Sequence, residues 1–162
     1  MAPQLLWIGL GNMGRGMCLN LVQKGSLGKP HLIYNRTQKR CDEFVTQVGS
    51  ANAKTCTSLK EGVGSSDIIF SCLSSDSAVE NIYESMVKEG DVRGKLFVEC
   101  STISPELVDK IAKLMIDHGA EFHAPYTYLK MAMEKSPGDQ VDVSAIYGAV
   151  RKANGLEFEN TP

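Results

Sequence analysis

Over roughly the first two-thirds of the chain, short apolar runs alternate with segments whose apolar positions recur at helical spacing. That alternation predicts parallel strands joined by covering helices. Strands are expected at Leu5 to Leu10, His31 to Tyr34, Ile68 to Leu73, Lys95 to Cys100 and Glu121 to His123. Met13, Met17, Cys18, Leu21 and Val22 outline a first helix, with Gly25 at its C-cap position. Thr37 is placed to cap a helix that carries Cys41, Phe44, Val45 and Val48 on one face and ends at Gly49. Ser58 and Glu61 form a capping-box pattern for a short helix. Another helix starts near Asp76 with Val79, Ile82 and Met86 facing inward, and Ser104-Pro105 opens one that buries Leu107, Ile111 and Leu114 before Gly119 closes it.

Ala124-Pro125 breaks the alternation, and from Tyr126 it does not resume. Two helical segments, 126–135 and 142–153, flank the turn-forming pair Pro137-Gly138. Val143, Ile146, Tyr147 and Val150 give the second an apolar face that must pack on the domain or on another chain. The expected organisation is a domain at residues 1–125 and a helical tail at 126–162, with homodimerisation through that tail as one use of its apolar face.

A length of 162 residues accommodates one buried domain and an appendage, but not a cofactor domain together with a full substrate domain. With 17 Lys and Arg against 19 Asp and Glu, the net charge of -2 supplies no attraction for nucleic acid or an anionic membrane. The opening residues do not resemble a signal peptide, and no apolar stretch is long enough to span a bilayer. The five cysteines, Cys18, Cys41, Cys56, Cys72 and Cys100, are too scattered for a disulfide framework or a zinc site, which suggests reduced thiols in a cytoplasmic protein. The expected partners are a small-molecule ligand or substrate, with neither nucleic acid nor membrane.

The chemistry is concentrated in Gly9-Leu10-Gly11-Asn12-Met13-Gly14, a G-x-G-x-x-G turn lying between the first strand and the first helix. In that context each glycine plays a distinct part. Gly9 permits the tight turn, Gly11 lets backbone approach a pyrophosphate, and Gly14 allows helix to pack closely on strand. The free amides at the helix start then bind phosphate. The fold expected is α/β, a Rossmann doubly wound, mainly parallel sheet followed by a short helical tail. About twenty residues further on, NAD-binding members of this fold carry an acidic residue for the ribose hydroxyls. Here the second strand ends in Asn35-Arg36-Thr37. A guanidinium with no competing carboxylate favours NADP(H) over NAD(H), the plain alternative being that Arg36 is a solvated loop charge.

The glycine turn, Asn35-Arg36-Thr37, the segment Ser71 to Val79 and the segment Glu99-Cys100-Ser101-Thr102-Ile103-Ser104-Pro105 together resemble the β-hydroxyacid dehydrogenase family, which includes 3-hydroxyisobutyrate and 6-phosphogluconate dehydrogenases and related imine reductases. The resemblance covers residues 5–125. It implies that Leu73, Ser74 and Ser75 run beside the cofactor, that Ser101 contacts substrate, and that Thr102 lies on the nicotinamide side. The function it implies is hydride transfer between NADP(H) and a small β-hydroxyacid, ketoacid or imine; the alternative is a noncatalytic NADP(H)-binding or regulatory protein. After Pro125 the family's substrate loop and lysine-bearing interdomain helix are not recognisable, whereas 128–154 resembles the end of the family's helical domain, as after an internal deletion. Lys130 and Lys135 lie outside the family's lysine pattern, so no residue is named catalytic and activity in this short form is expected to be impaired. Cys100 is read as a packing residue, and His118 and His123, lacking acidic or cysteine partners at ligand spacing, as structural; no metal site is expected.

Overall fold

The computed structural model describes residues 2–25 and 28–125. The chain divides into two units, Met1–His123 and Ala124–Pro162, and the fold here is that of the first. The predicted tail helices, with Lys130 and Lys135, lie outside the described residues.

The elements run β1 (Leu5–Ile8), α1 (Asn12–Lys24), β2 (His31–Tyr34), α2 (Gln38–Val48), β3 (Ala53–Thr55), α3 (Leu59–Gly64), β4 (Ile68–Ser71), α4 (Asp76–Glu89), β5 (Leu96–Glu99), α5 (Pro105–Asp117) and β6 (Glu121–His123). The six strands form one sheet in the order β3-β2-β1-β4-β5-β6, and every neighbouring pair is parallel. This is the expected Rossmann-type α/β architecture. The strand order reverses between β1 and β4, which opens a crevice at the carboxyl ends of those strands.

All four residues of β1 are buried, as the central strand of a doubly covered sheet requires. Trp7 stacks on its register partner Phe70 of β4 with ring centroids 5.7 Å apart, and it belongs to a cluster with Cys18 of α1, Ile33 of β2, and Cys41 and Phe44 of α2. On α4, Tyr83 meets Phe97 and Phe122 at centroid distances of 6.1 and 5.7 Å. Burying an aromatic ring of this size contributes on the order of 1.5–3 kcal/mol, so these rings hold the layers together.

Several expectations need correction. Strand β3 carries no strand pattern of its own; Ala-Lys-Thr at a sheet edge has too little apolar character to register as one. On α1 the buried positions are Gly14 and Cys18, while Met13 and Met17 are 73% and 37% exposed. The close approach of this helix to the strand turn moves its buried stripe onto the small residues. On α4 the inward residues are Val79, Tyr83 and Met86, with Ile82 only half-buried; on α5 Met115 is buried and Leu114 half-buried. Ser58 caps α3 as its pattern suggests, accepting from the Glu61 amide at 3.2 Å. Thr37 and Ser104 occupy N-cap positions but make no side-chain cap, and the Ser104 hydroxyl instead donates to Asp76 at 2.5 Å.

Candidate functional site

The glycine turn is held from three directions. The Trp7 indole N–H donates to the Gly9 carbonyl at 2.8 Å, the Gly9 amide donates to the Tyr34 carbonyl at 3.0 Å, and the Leu10 amide donates to Asn35 Oδ1 at 2.9 Å. Gly9 has φ +98, and a Cβ there would stand 2.3 Å from the Cys72 carbonyl oxygen, so both conformation and space demand glycine. Gly11 differs: nothing lies within 4 Å of where its Cβ would be. It is the N-cap of α1, no side chain caps that helix, and its first turn holds no acidic residue. The first amides of a 13-residue helix therefore face open space with the positive end of the helix dipole behind them.

That space is a cleft of about 550 Å³. Tyr34, Asn35, Arg36, Thr37 and Arg40 line its β2 side, the glycine turn with Asn12 and Met13 forms its middle, and Cys72, Leu73, Ser74 and Ile82 line its β4 side. It thus gathers Gly9, Gly11, Asn12, Met13, Gly14, Asn35, Arg36, Thr37, Leu73 and Ser74 from the predicted site. Leu10, Ser75, Ser101 and Thr102 are not among the lining residues. Leu10 is buried and takes part through its backbone, while Ser75 caps α4 by accepting from the Ala78 amide. Sequence reasoning missed Arg40. It lies in the first turn of α2, whereas Arg36 precedes the Thr37 N-cap, so no helical spacing links the two and only the fold brings them to one cleft. Its guanidinium donates to the Leu10 carbonyl at 3.5 Å, and among the described residues two arginines and no Asp or Glu line this cleft.

Behind the β4 side lies a second feature missed in the sequence. Glu99, at the end of β5, is fully buried. Its Oε2 accepts from the Ser71 hydroxyl at 2.8 Å, its Oε1 accepts from the Ser101 amide at 2.5 Å, and Ser71 is 2.9 Å from the Tyr83 hydroxyl. Burial pushes the Glu99 carboxyl above its ordinary value, opposed by the hydrogen bonds from Ser101, Ser71 and Tyr83. The Ser101 hydroxyl accepts from the Leu73 amide at 2.7 Å.

The other titratable candidates have structural surroundings. Burial pushes the Cys100 thiol up to about 12, with Glu99 and Cys72 adding to the rise, so it is a poor nucleophile. Cys18 is likewise raised to about 12 and Cys56 to about 11, both chiefly by burial. His118 Nδ1 lies 2.8 Å from the Leu114 carbonyl at the end of α5, and His123 Nε2 lies 2.8 Å from Glu121. Among the described residues no cluster of His, Cys, Asp or Glu is arranged to hold a metal, and no helix is long and apolar enough to cross a membrane.

A glycine turn backed by helix amides at a topological switch point defines a dinucleotide-binding domain. Residues 4–125 match the NAD binding domain of 6-phosphogluconate dehydrogenase, and the chain belongs to that family. An NADH-dependent oxidoreductase of Aspergillus ustus is 38% identical over 112 residues, 69% of this chain and 38% of the relative. A cytokine-like nuclear factor, N-PAC, of Xenopus tropicalis is 33% identical over 118 residues, 72% of this chain and 21% of the relative. The mitochondrial 3-hydroxyisobutyrate dehydrogenase of Drosophila melanogaster is 31% identical over 121 residues, 75% and 35% of the two chains. The chain therefore spans well under half the length of these relatives. Among solved structures, an imine reductase from Myxococcus stipitatus in complex with NADP+ shares the fold at a TM-score of 0.64 and 23% identity, over 75% of this chain and 40% of that one.

Proposed function

We propose that the cleft holds NADP(H) in preference to NAD(H), and that the chain is the cofactor half of an oxidoreductase acting on a small β-hydroxyacid, ketoacid or imine. The observation that carries this reading is the pairing of uncapped α1 amides with Arg36 and Arg40 in a lining that, among the described residues, has no Asp or Glu. The residues fit the group: the α1 amides receive the pyrophosphate across the open side of Gly11, and the two guanidinium groups receive an additional phosphate on the adenosine ribose. When bound, the nicotinamide exchanges hydride with substrate. Asn35 holds the glycine turn to the β2 tip, and Leu73 and Ser74 face the opposite end.

A second, noncatalytic reading is favoured by a different observation. Among the described residues the cleft lining offers no Lys, His, Asp or Glu, the side chains that most often move the proton accompanying hydride transfer to or from a hydroxyl-bearing carbon. Turnover would then be impaired in this form, or absent, with cofactor occupancy alone serving the protein.

Calorimetric titration with NADPH and NADH tests the cofactor assignment. NADPH is expected to bind more tightly, and Arg36→Ala to weaken NADPH by about 10-fold or more while leaving NADH unchanged, as loss of a charge-assisted hydrogen bond requires. Equal affinities, or an unaltered preference in the variant, would overturn it. NADPH oxidation with a panel of β-ketoacids and cyclic imines separates the two readings, turnover supporting the enzyme and binding without turnover the alternative.

A further inference from the structure

Glu99 sits opposite Ser71 in the β4–β5 register, and its hydrogen-bond partners, Ser71, Ser101 and Tyr83, are all uncharged. A buried carboxyl without a cationic partner is expensive to keep, so its connections call for an explanation. Following the hydrogens supplies one. The Ser71 hydroxyl reaches Glu99 on one side and lies 2.9 Å from the Tyr83 hydroxyl on the other. On the other oxygen Glu99 holds the Ser101 amide, which orients Ser101 so that its Oγ accepts from the Leu73 amide. Leu73 lines the cleft. An unbroken series of contacts thus runs from the α4 interior through the ends of β4 and β5 to the cleft wall.

The position of that wall determines what it can hold. With a ribose phosphate at Arg36 and Arg40 and the pyrophosphate at α1, the β4 side is the part of the cleft left for the nicotinamide riboside. We propose that Glu99 is a positioning residue for the nicotinamide half of the cofactor, acting through Ser101 to hold the Leu73–Ser74 segment in place. This rests on the reading of the cleft as an NADP(H) site.

The test compares affinity for NADPH with affinity for 2′,5′-ADP, which carries the phosphate end and lacks the nicotinamide. Glu99→Met keeps the side-chain bulk and removes both acceptors; Ser101→Ala removes the acceptor for Leu73 together with the hydroxyl's own bond to Glu99, and leaves the buried acid and its contact with the Ser101 amide in place. Both are expected to weaken NADPH by about 10-fold and 2′,5′-ADP by less than about twofold, consistent with loss of one hydrogen-bonded anchor. Glu99→Gln can still accept from Ser101 and donate to Ser71, so it is expected to retain NADPH affinity within about threefold. A role confined to general stability would change both ligands alike. Parallel losses, or undiminished NADPH binding in Ser101→Ala, would overturn the inference even if Glu99→Met fails to fold. Absence of 2′,5′-ADP binding by the unmodified protein would instead remove the cofactor reading, and the positioning role with it.

Discussion

A side-chain carbon on Gly14 would stand 2.4 Å from the carbonyl oxygen of Gly9, so α1 rests on the strand turn at backbone contact. Gly14→Ala is therefore expected to destabilise the fold by roughly 1–3 kcal/mol, the usual penalty for overpacking. Gly11→Ala meets nothing within 4 Å and should leave the melting temperature of the ligand-free protein nearly unchanged while weakening NADPH. Thermal melts with and without NADPH check the pair; similar behaviour of the two variants would contradict distinct roles for these glycines.

Because burial raises the Glu99 carboxyl above its ordinary value of 4.5, the folded protein favours its neutral form. The stability it contributes is complete below that value and is lost as pH rises through the folded-state value. The nearby Cys72, Cys100 and Tyr83 are all shifted upward and so remain neutral well above that point. Melting temperatures of the unmodified protein and Glu99→Gln, compared from about pH 4 to 8, should diverge in favour of the variant as pH climbs. A constant difference would show that Glu99 titrates as an ordinary carboxyl.

His31 carries the opposite sign. It is 3% exposed, its Nδ1 has no hydrogen-bond partner among the described residues, and burial lowers its pKa from 6.5. Its neutral form contributes stability that is present above 6.5 and lost as pH falls through the lower folded-state value. His31→Phe removes that titration, so acidification below pH 6.5 should cost the unmodified protein more melting temperature than the variant. Parallel pH profiles for the two proteins would refute this.

Elements with a strong local signature are legible in the chain alone. The apolar runs of β1, β2, β4 and β5, the Ser58 cap and the stop at Gly49 each concentrate their information in a few adjacent residues. Strand β3 is not legible, because its pairing with β2 is supplied by a strand distant in sequence rather than by its own residues. The choice of Tyr83 over Ile82 as the inward residue of α4 has the same origin: helical spacing allows either, and the rings of Phe97 and Phe122 select one. In the site, Arg36 stands out at a strand tip, whereas Arg40 becomes visible once α2 turns it toward the same cleft.

The order of residues alone determined a parallel α/β domain with a glycine turn between strand and helix, since hydrophobic period, caps and glycine spacing act over short stretches of chain. Tertiary structure decided which side chains meet: two arginines at one end of the cleft, and at the other a buried Glu99 brought beside Ser71, 28 residues earlier in the chain. Burial and hydrogen bonding depend on neighbours that the sheet assembles from separate strands, so the properties of Glu99 exist only after the chain has folded.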